Sequence, residues 1–481
     1  MKSRQRILSF LLLPFLLTAC GGGGGGSGSG GGDTVAAPMF NPSPGTYTSA
    51  QSVTISTTPG ATIRYTTDGS SPSGTVGSVY AGPIAVASSM TIRAAAYLSG
   101  GTTSPVSGGA YTITEPKVNV TVGGREVVFD WTTDRCEDFD VPDGPARFVR
   151  AGDGELVLFS GNAPRYYVSR GNGFSSLKRE CGQPALVSAD NATPGSYENR
   201  EWLWAVYREG DRWHAFVHNE FHDTTSATCA PSLGNLCWYN SVTYAVSTDG
   251  GRTFTKPDAP AHFVAPAPNA WVPPPFYPSD YAAEGYFEPS SIVRGPDGYY
   301  YSLINSIPDK SNMSVRGTCA IRSDRLDEPA SWRAWDGSGF NLRLTSPYAT
   351  GASATVCAYL PNSIGNASLS YNTYLGLYML VSDSNTGPGT CGIYFSLSPD
   401  MVHWGPRQML APARLPWCDA GPATPGVLEP AVVLYPSLLD HGDTSVNFDR
   451  TGRTVYLYYT RFNDGGLDRD LVRVPVTFTL E

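Results

Sequence analysis

The sequence predicts an all-β protein: a five-bladed β-propeller preceded by a small β-sandwich domain. Three observations carry that expectation. Gly and Pro number 53 and 39 of 481 residues and 12% of the chain is aromatic, a composition rich in turn formers. Short runs alternate apolar and polar residues with period two, as strands with one buried face do, and long helical periodicity is hard to find. A strand–turn–strand unit also recurs. It opens as "GPARFVRAGDGELVLFSGN" from Gly144, as "EPSSIVRGPDGYYYSLINS" from Glu288, and as "YPSLLD" from Tyr435 with "RTVYLYYTRFN" from Arg453. "EWLWAVYREGDRWHAFVHNE" from Glu201 and "NASLSYNTYLGLYMLVSDS" from Asn366 fit it more loosely. Five such units of three or four strands favour a propeller over a pair of stacked sheets.

The N-terminus reads as a targeting segment. "MKSRQR" is a basic stretch and "ILSFLLLPFLL" an apolar one too short to span a bilayer as a mature helix. "LTAC" then resembles a bacterial lipobox, which implies removal of residues 1–19 and lipidation of Cys20. Gly21 rather than Asp follows that Cys, which by resemblance to Gram-negative sorting implies the outer membrane. Residues 20–36 are a Gly/Ser-rich flexible tether. The membrane is therefore an expected partner through the lipid alone, with the folded part a monomer in the cell envelope.

A net charge of −9 argues against a nucleic-acid partner, which would require a basic face. The other eight cysteines all lie beyond residue 115, an even number consistent with disulfides in an exported chain. "CAPSLGNLC" closes a short loop between Cys229 and Cys237, and the pairing of the remaining six is open. There is no Cys-x-x-Cys pair and only 6 His, so a zinc site is not expected.

Residues 37–114 form a separate β module. Its "PGATIRYTTDGSSPS" and "GPIAVASSMTIRAAAYLSG" resemble the β-sandwich found at the C-terminus of chitobiase and β-hexosaminidase. The resemblance implies a spacer in a glycan-active surface protein, or a direct sugar-binding role. Residues 115–481 hold the propeller. A second repeat follows its first four openings: "YYVSRGNGF", "YAVSTDGGRTF", "AIRSDRLDEPASW" and "IYFSLSPDMVHW". "STDGGRTF" resembles the Asp-box of sialidases, which implies that Asp249 ties down a turn and plays no part in chemistry.

In an antiparallel unit the start of the first strand and the end of the second meet on one rim. Strand starts give Asp143, Glu201, Glu288 and Tyr435. Strand ends give Asn162, His218, Asn219, Glu220, Asn305, Asp383, and Arg461 with Asn463. A requirement to fold does not concentrate carboxylates, amides, a His and an Arg there, so the rim is a candidate site, to which Arg147 and His222 are added. "HNEFHD", His218 to Asp223, is the densest polar cluster. It reads as a substrate-binding segment with Glu220 as a rival acid, as a metal site of His218, His222 and Asp223, or as a polar loop tip. Tyr286, Phe287 and Tyr299 to Tyr301 suit either the walls of a sugar-binding funnel or packing between sheets.

This layout resembles the propeller glycoside hydrolases of family 43 and its relatives, on the run "EPSSIVRGPDGYYYSL". The resemblance implies a general acid at Glu288 and a general base at Asp143, which sits about one residue out of register and competes locally with Asp140. The family's second-unit Asp has no clean counterpart; Glu201 and Glu220 are nearest. Asp143, Glu288 and Glu220 are thus the catalytic candidates. Arg147, Asn162, Glu201, His218, Asn219, His222, Asn305, Asp383, Tyr435 and Arg461 are the substrate-binding ones. The chemistry needs two carboxyl groups and no cofactor; a structural Ca²⁺ in the channel is compatible with it. Two functions stay open at this point: a surface-anchored hydrolase of a poly- or oligosaccharide, and a glycan-binding or adhesion lipoprotein that keeps the pocket without the chemistry.

Overall fold

The computed structural model describes residues 34–47, 51–86, 88–100, 102–114, 116–229, 237–275, 282–312, 314–352, 354–360, 365, 368–384, 390–419, 421, 424–463 and 466–481. The signal segment, Cys20 and the glycine tether lie outside them. The chain divides into two compact units, one of Met1–Ser43, Thr54–Pro83 and Thr91–Gly109, the other of Pro44–Val53, Ile84–Met90 and Ala110–Glu481.

In the smaller unit Thr62–Thr66 pairs antiparallel with Met90–Tyr97, and Met39–Asn41 with the end of Gln51–Ser56. The alternation seen in the sequence is the alternation of burial: Ile55 is buried while Thr54 and Ser56 are exposed.

The larger unit is a β-propeller built of antiparallel meanders. The first runs through Arg147–Arg150, Leu156–Phe159, Val168–Gly171 and Lys178–Arg179. The second comprises Arg200–Glu209, Arg212–His222, Cys237–Ser247 and Phe263–Ala265. The third has Ala282–Phe287 and Val293–Arg294 as an interrupted first strand, then Tyr300–Ile307, Gly317–Ser323 and Arg333–Ala334. Ser368–Asn372, Leu377–Ser384, Gly392–Ser398 and Gln408–Pro412 make the fourth. The last joins Val432–Leu439, Thr454–Phe462 and Arg469–Leu480 to Val118–Val122 and Glu126–Phe129, which precede the first meander. That pairing joins a segment that precedes the first meander to the last strand of the chain, so the ring is closed by hydrogen bonds between distant parts of the sequence.

Apolar clusters hold neighbouring meanders together. Val157 and Phe159 of the first pack with Trp213 and Val217 of the second. Phe216 and Tyr244 pack with Ile304 and Trp332 of the third, and Leu303 and Ala320 with Leu380 and Trp404 of the fourth. Phe395 and Val381 meet Val433 and Leu457 of the last. Tyr458 and Leu439 return to Phe148 and Leu158 of the first. The succession is cyclic, so each sheet is buried on both faces.

Turn chemistry explains the second repeat. Asp249 accepts hydrogen bonds from the backbone N–H groups of Arg252 and Thr253 (3.0 Å each) and from the hydroxyls of Ser247 and Thr253 (2.6 Å each). Burial works against its charge, but these donors outweigh burial and hold its carboxyl down at about 2. Phe254 drops into the cluster between the first two meanders. Asp400 and Trp404 repeat the arrangement in "SPDMVHW", with Val402 N, His403 N and the His403 ring as donors.

Four disulfides link Cys136–Cys181, Cys229–Cys237, Cys319–Cys357 and Cys391–Cys418. The expected short loop is closed as read, and the open pairings join nearest cysteines in sequence. Cys136–Cys181 spans 45 residues. Chain-entropy arithmetic gives that crosslink about 4 kcal/mol, against about 2.5 for the shortest loop. The double variant Cys136→Ser/Cys181→Ser should therefore unfold at lower denaturant than Cys229→Ser/Cys237→Ser, as chemical denaturation with matched m-values would show.

Candidate active site

Glu288 directly follows the strand Ala282–Phe287 and has φ +50°. Tyr435 sits where Val432–Leu439 slips register, between Leu434 and Ser437, and has φ +58°. Both precede Pro and Ser, so the repeated "x-Pro-Ser" breaks the strand at one place in each unit. The left-handed region costs a residue with a side chain about 1–2 kcal/mol, and strain of this kind concentrates at functional sites. Gly285 (φ +114°) makes the approach: a Cβ there would lie 2.0 Å from the Asn240 carbonyl. That contact, in the parallel pairing of Gly285 with Asn240, is what carries the third meander's first strand against the second meander.

The Glu288 carboxyl accepts a hydrogen bond from Asn305 Nδ2 (2.9 Å), its neighbour across the strand pair from Phe287. Burial, then the charges of Asp383, Glu220 and Asp143, push its pKa up to about 8. Three carboxylates from three other meanders thus act on one carboxyl group, which stays protonated at neutral pH. Asp383, near the end of Leu377–Ser384, is raised by burial to about 6.

Asp143 accepts from Arg469 and, at 3.2 Å, from the Tyr435 hydroxyl. Burial beside Asp143 and Glu288 lifts the Tyr435 phenol well above its ordinary value, so the hydroxyl keeps its proton. Glu220 lies 2.8 Å from His222 Nε2 and 3.6 Å from His218 Nε2. Burial raises the Glu220 carboxyl, but the His222 hydrogen bond and the two imidazoles bring it below the ordinary range. His218 is buried between Trp202, Trp204 and Phe287, and burial lowers its pKa. Its Nε2 reaches Asn240 Oδ1 (3.3 Å), while Nδ1 has no hydrogen-bond partner among the described residues.

The structure therefore brings together Asp143, His218, Glu220, His222, Glu288, Asn305, Asp383 and Tyr435. It gives other expected site residues different work. Glu201 is buried, paired with Lys256, and accepts Ala189 N at 3.0 Å. Asn219 is buried, accepts Asn199 N (2.8 Å) and donates to Ser241. The two are cross-strand partners, one residue out of step with the pairs that carry His218 and Glu220, and successive strand residues face opposite sides. Asn162 spends its amide on the Phe139 carbonyl (3.1 Å) and the Trp202 indole (2.9 Å). Arg147 is buried and donates to Ser437 Oγ (2.7 Å), which ties the first meander to the last. Arg461 is held by Asp470 at 2.5 Å. Asp140, the local competitor of Asp143, is fully buried in a fork with Arg179. Tyr286, Tyr300 and Tyr301 lie in the cores, whereas Phe287 is partly exposed. Of the metal reading of "HNEFHD", Asp223 has its carboxylate taken by Thr225, Ser226 and Trp271 Nε1, and no group of three or more metal-binding side chains stands among the described residues. Arg469, 326 residues from Asp143, was missed, and no local signal points to it.

Residues 42–108 match the chitobiase/β-hexosaminidase C-terminal domain. No curated protein matches the chain. Solved structures similar to it include a family 117 glycoside hydrolase produced by the marine bacterium Zobellia galactanivorans, at 9% identity and TM-score 0.44, over 75% of this chain and 90% of that one. A GH43 β-1,3-galactosidase with galactodeoxynojirimycin has 11% identity and TM-score 0.41, over 74% and 94%. An endo-arabinase from Bacteroides thetaiotaomicron has 13% identity and TM-score 0.39, over 73% and 97%.

Proposed function

We propose that the protein is a glycoside hydrolase acting on a polysaccharide or oligosaccharide, with the five meanders as five blades and Glu288 as general acid. One observation carries the reading: a carboxyl group strained into the rim, protonated at pH 7 and surrounded by carboxylates from other blades. Glycosidic cleavage needs that combination. The acid gives its proton to the leaving oxygen, and anions stabilise the positive charge that grows on the sugar ring. Asp143, fixed by Arg469 and Tyr435, and Glu220, fixed by His222, are suited to the second task. Asn305 holds the acid in place.

The decisive experiment is a turnover screen of polysaccharides and aryl glycosides with the form lacking residues 1–32. Hydrolysis of any glycoside supports the reading. Binding of a glycan with no turnover by the intact site would replace it with the glycan-binding alternative.

The lipobox reading adds a surface anchor to the proposal. Cys20→Ser should leave turnover unchanged and move the protein from the membrane to the soluble fraction. Retention of acyl chains and membrane sedimentation in that variant would remove the anchor.

A further inference from the structure

We propose that Trp238, together with His222, is a stacking platform for the sugar residue next to the one that Glu288 acts on. The inference rests on the glycosidase reading and adds to it a residue that the chemistry at Glu288 does not use.

Register puts the two rings on the face of the site. Where Arg212–His222 pairs with Cys237–Ser247, His222 is opposite Trp238, Glu220 opposite Asn240 and His218 opposite Val242. Residues two apart on a strand share a face, and so do residues directly opposite one another. Trp238 therefore stands on the face that carries His218 and Glu220, beyond Glu220 along the strand pair. The distances agree. Glu220 Oε2 is 2.8 Å from His222 Nε2, and the His222 and Trp238 ring centroids are 6.1 Å apart, with the planes 23° from parallel. Two adjoining, nearly parallel rings thus lead away from the carboxyl cluster.

The other face of the same strand pair is closed. Phe221 and Tyr239 pack against Trp271 and join a buried cluster with Tyr197 and Ala267. Asp223 anchors that cover by accepting from Trp271 Nε1 at 3.0 Å, and the Cys229–Cys237 disulfide ties down the strand start beside Trp238. On the near face His222 and Trp238 stay partly exposed, with 21% of the His222 side chain open to solvent. Exposed rings on a fixed backing are already arranged for a ligand, so little order has to be gained on binding.

The chemistry identifies that ligand. One face of a sugar ring is a patch of C–H groups, and the electron-rich face of an aromatic ring attracts their hydrogens. The edge of the sugar is hydroxyl, and His222 has a ring atom left for it. Its Nε2 is committed to Glu220, whereas Nδ1 has no hydrogen bond among the described residues. The carboxyl cluster sets where the cut falls, and the adjoining platform sets where the neighbouring sugar lies. A chain held at both points matches a poly- or oligosaccharide better than a single small glycoside.

The test uses the whole protein, Trp238→Ala and Trp238→Phe. The substrates are an oligosaccharide identified by the turnover screen and the glycosyl fluoride of its single sugar, which carries no second ring. Trp238→Ala should raise KM for the oligosaccharide by roughly 10-fold or more, the scale seen when a well-packed aromatic anchor is truncated, with a much smaller change in kcat. Its effect on the fluoride should be far smaller, a contrast that separates a lost subsite from a disturbed fold. Trp238→Phe keeps an aromatic face and should restore most of the affinity. Binding can also be read without turnover: in Glu288→Gln the oligosaccharide should perturb the indole absorbance, and adding Trp238→Phe should shrink that difference spectrum. An unchanged KM for the oligosaccharide in Trp238→Ala would overturn the platform and leave the hydrolase standing. So would equal losses on the oligosaccharide and the fluoride. No turnover of any glycoside by the unaltered protein would remove the glycosidase reading itself, and the platform with it.

Discussion

Glu288→Gln is expected to slow hydrolysis of an unactivated glycoside by roughly 100-fold or more, the usual scale for loss of a general acid. The same variant should lose little on an aryl glycoside whose leaving group departs without a proton. Gln keeps the size of Glu and still accepts from Asn305 through its amide oxygen, so binding and fold should be preserved. Only the transferable proton is gone. Equal losses on both substrates would make Glu288 a binding residue, and no loss on either would remove it from the chemistry. Glu288→Gly sharpens the comparison. At φ +50° Gly relieves strain of about 1–2 kcal/mol, and its extra freedom in the unfolded chain takes back about half of that. That variant should be as stable as the parent or slightly more so, yet inactive on the unactivated substrate. Stability gained where activity is lost is the signature of a residue kept for function.

The repeat made the propeller legible from the sequence. Its strand–turn–strand openings mark the meanders, and Asp249 and Phe254 announce the turns that join them. The site was legible only in part, because a rim position fixes which residues arrive at one end of a sheet but not which face they take. His218 and Glu220 share one face, whereas Asn219 and Glu201 fall on the opposite face, where Ser241 and Lys256 pair with them. Arg147 illustrates a second limit. Its position on a first strand looked like a substrate contact, whereas its guanidinium is spent joining the first and last meanders. Such ring-closing contacts join residues about as far apart in sequence as the unit allows, and the partners of Arg147 and Asp143 are 290 and 326 residues away. Composition carries no trace of them.

The titration of Glu288 should also be visible in stability, apart from any substrate. In the unfolded chain its reference value is 4.5, and in the folded protein it is raised to about 8. Below pH 4.5 both states hold the proton and the group contributes no difference. Between 4.5 and about 8 the unfolded chain has released the proton while the folded protein keeps it, so raising the pH favours unfolding. Above about 8 both states are ionised, and the loss stops growing. A shift of this size corresponds to an upper bound of about 5 kcal/mol. Partial exposure and the coupled titration of Asp383, Glu220 and Asp143 should reduce it to about 2. Glu288→Gln has no proton to lose. The variant should therefore match the parent near pH 4.5 and become progressively more stable than it up to about pH 8.5, with an increasing gap between their melting temperatures. Groups held low, such as Asp249 and Asp223, act in the opposite sense, and their stabilisation is lost as the pH falls through the acid range. They are common to both proteins and cancel in the comparison. A melting-temperature difference that stays constant from pH 4.5 to 8.5 would mean that Glu288 titrates like any exposed carboxylate, and the proton needed for acid catalysis would then be missing at neutral pH.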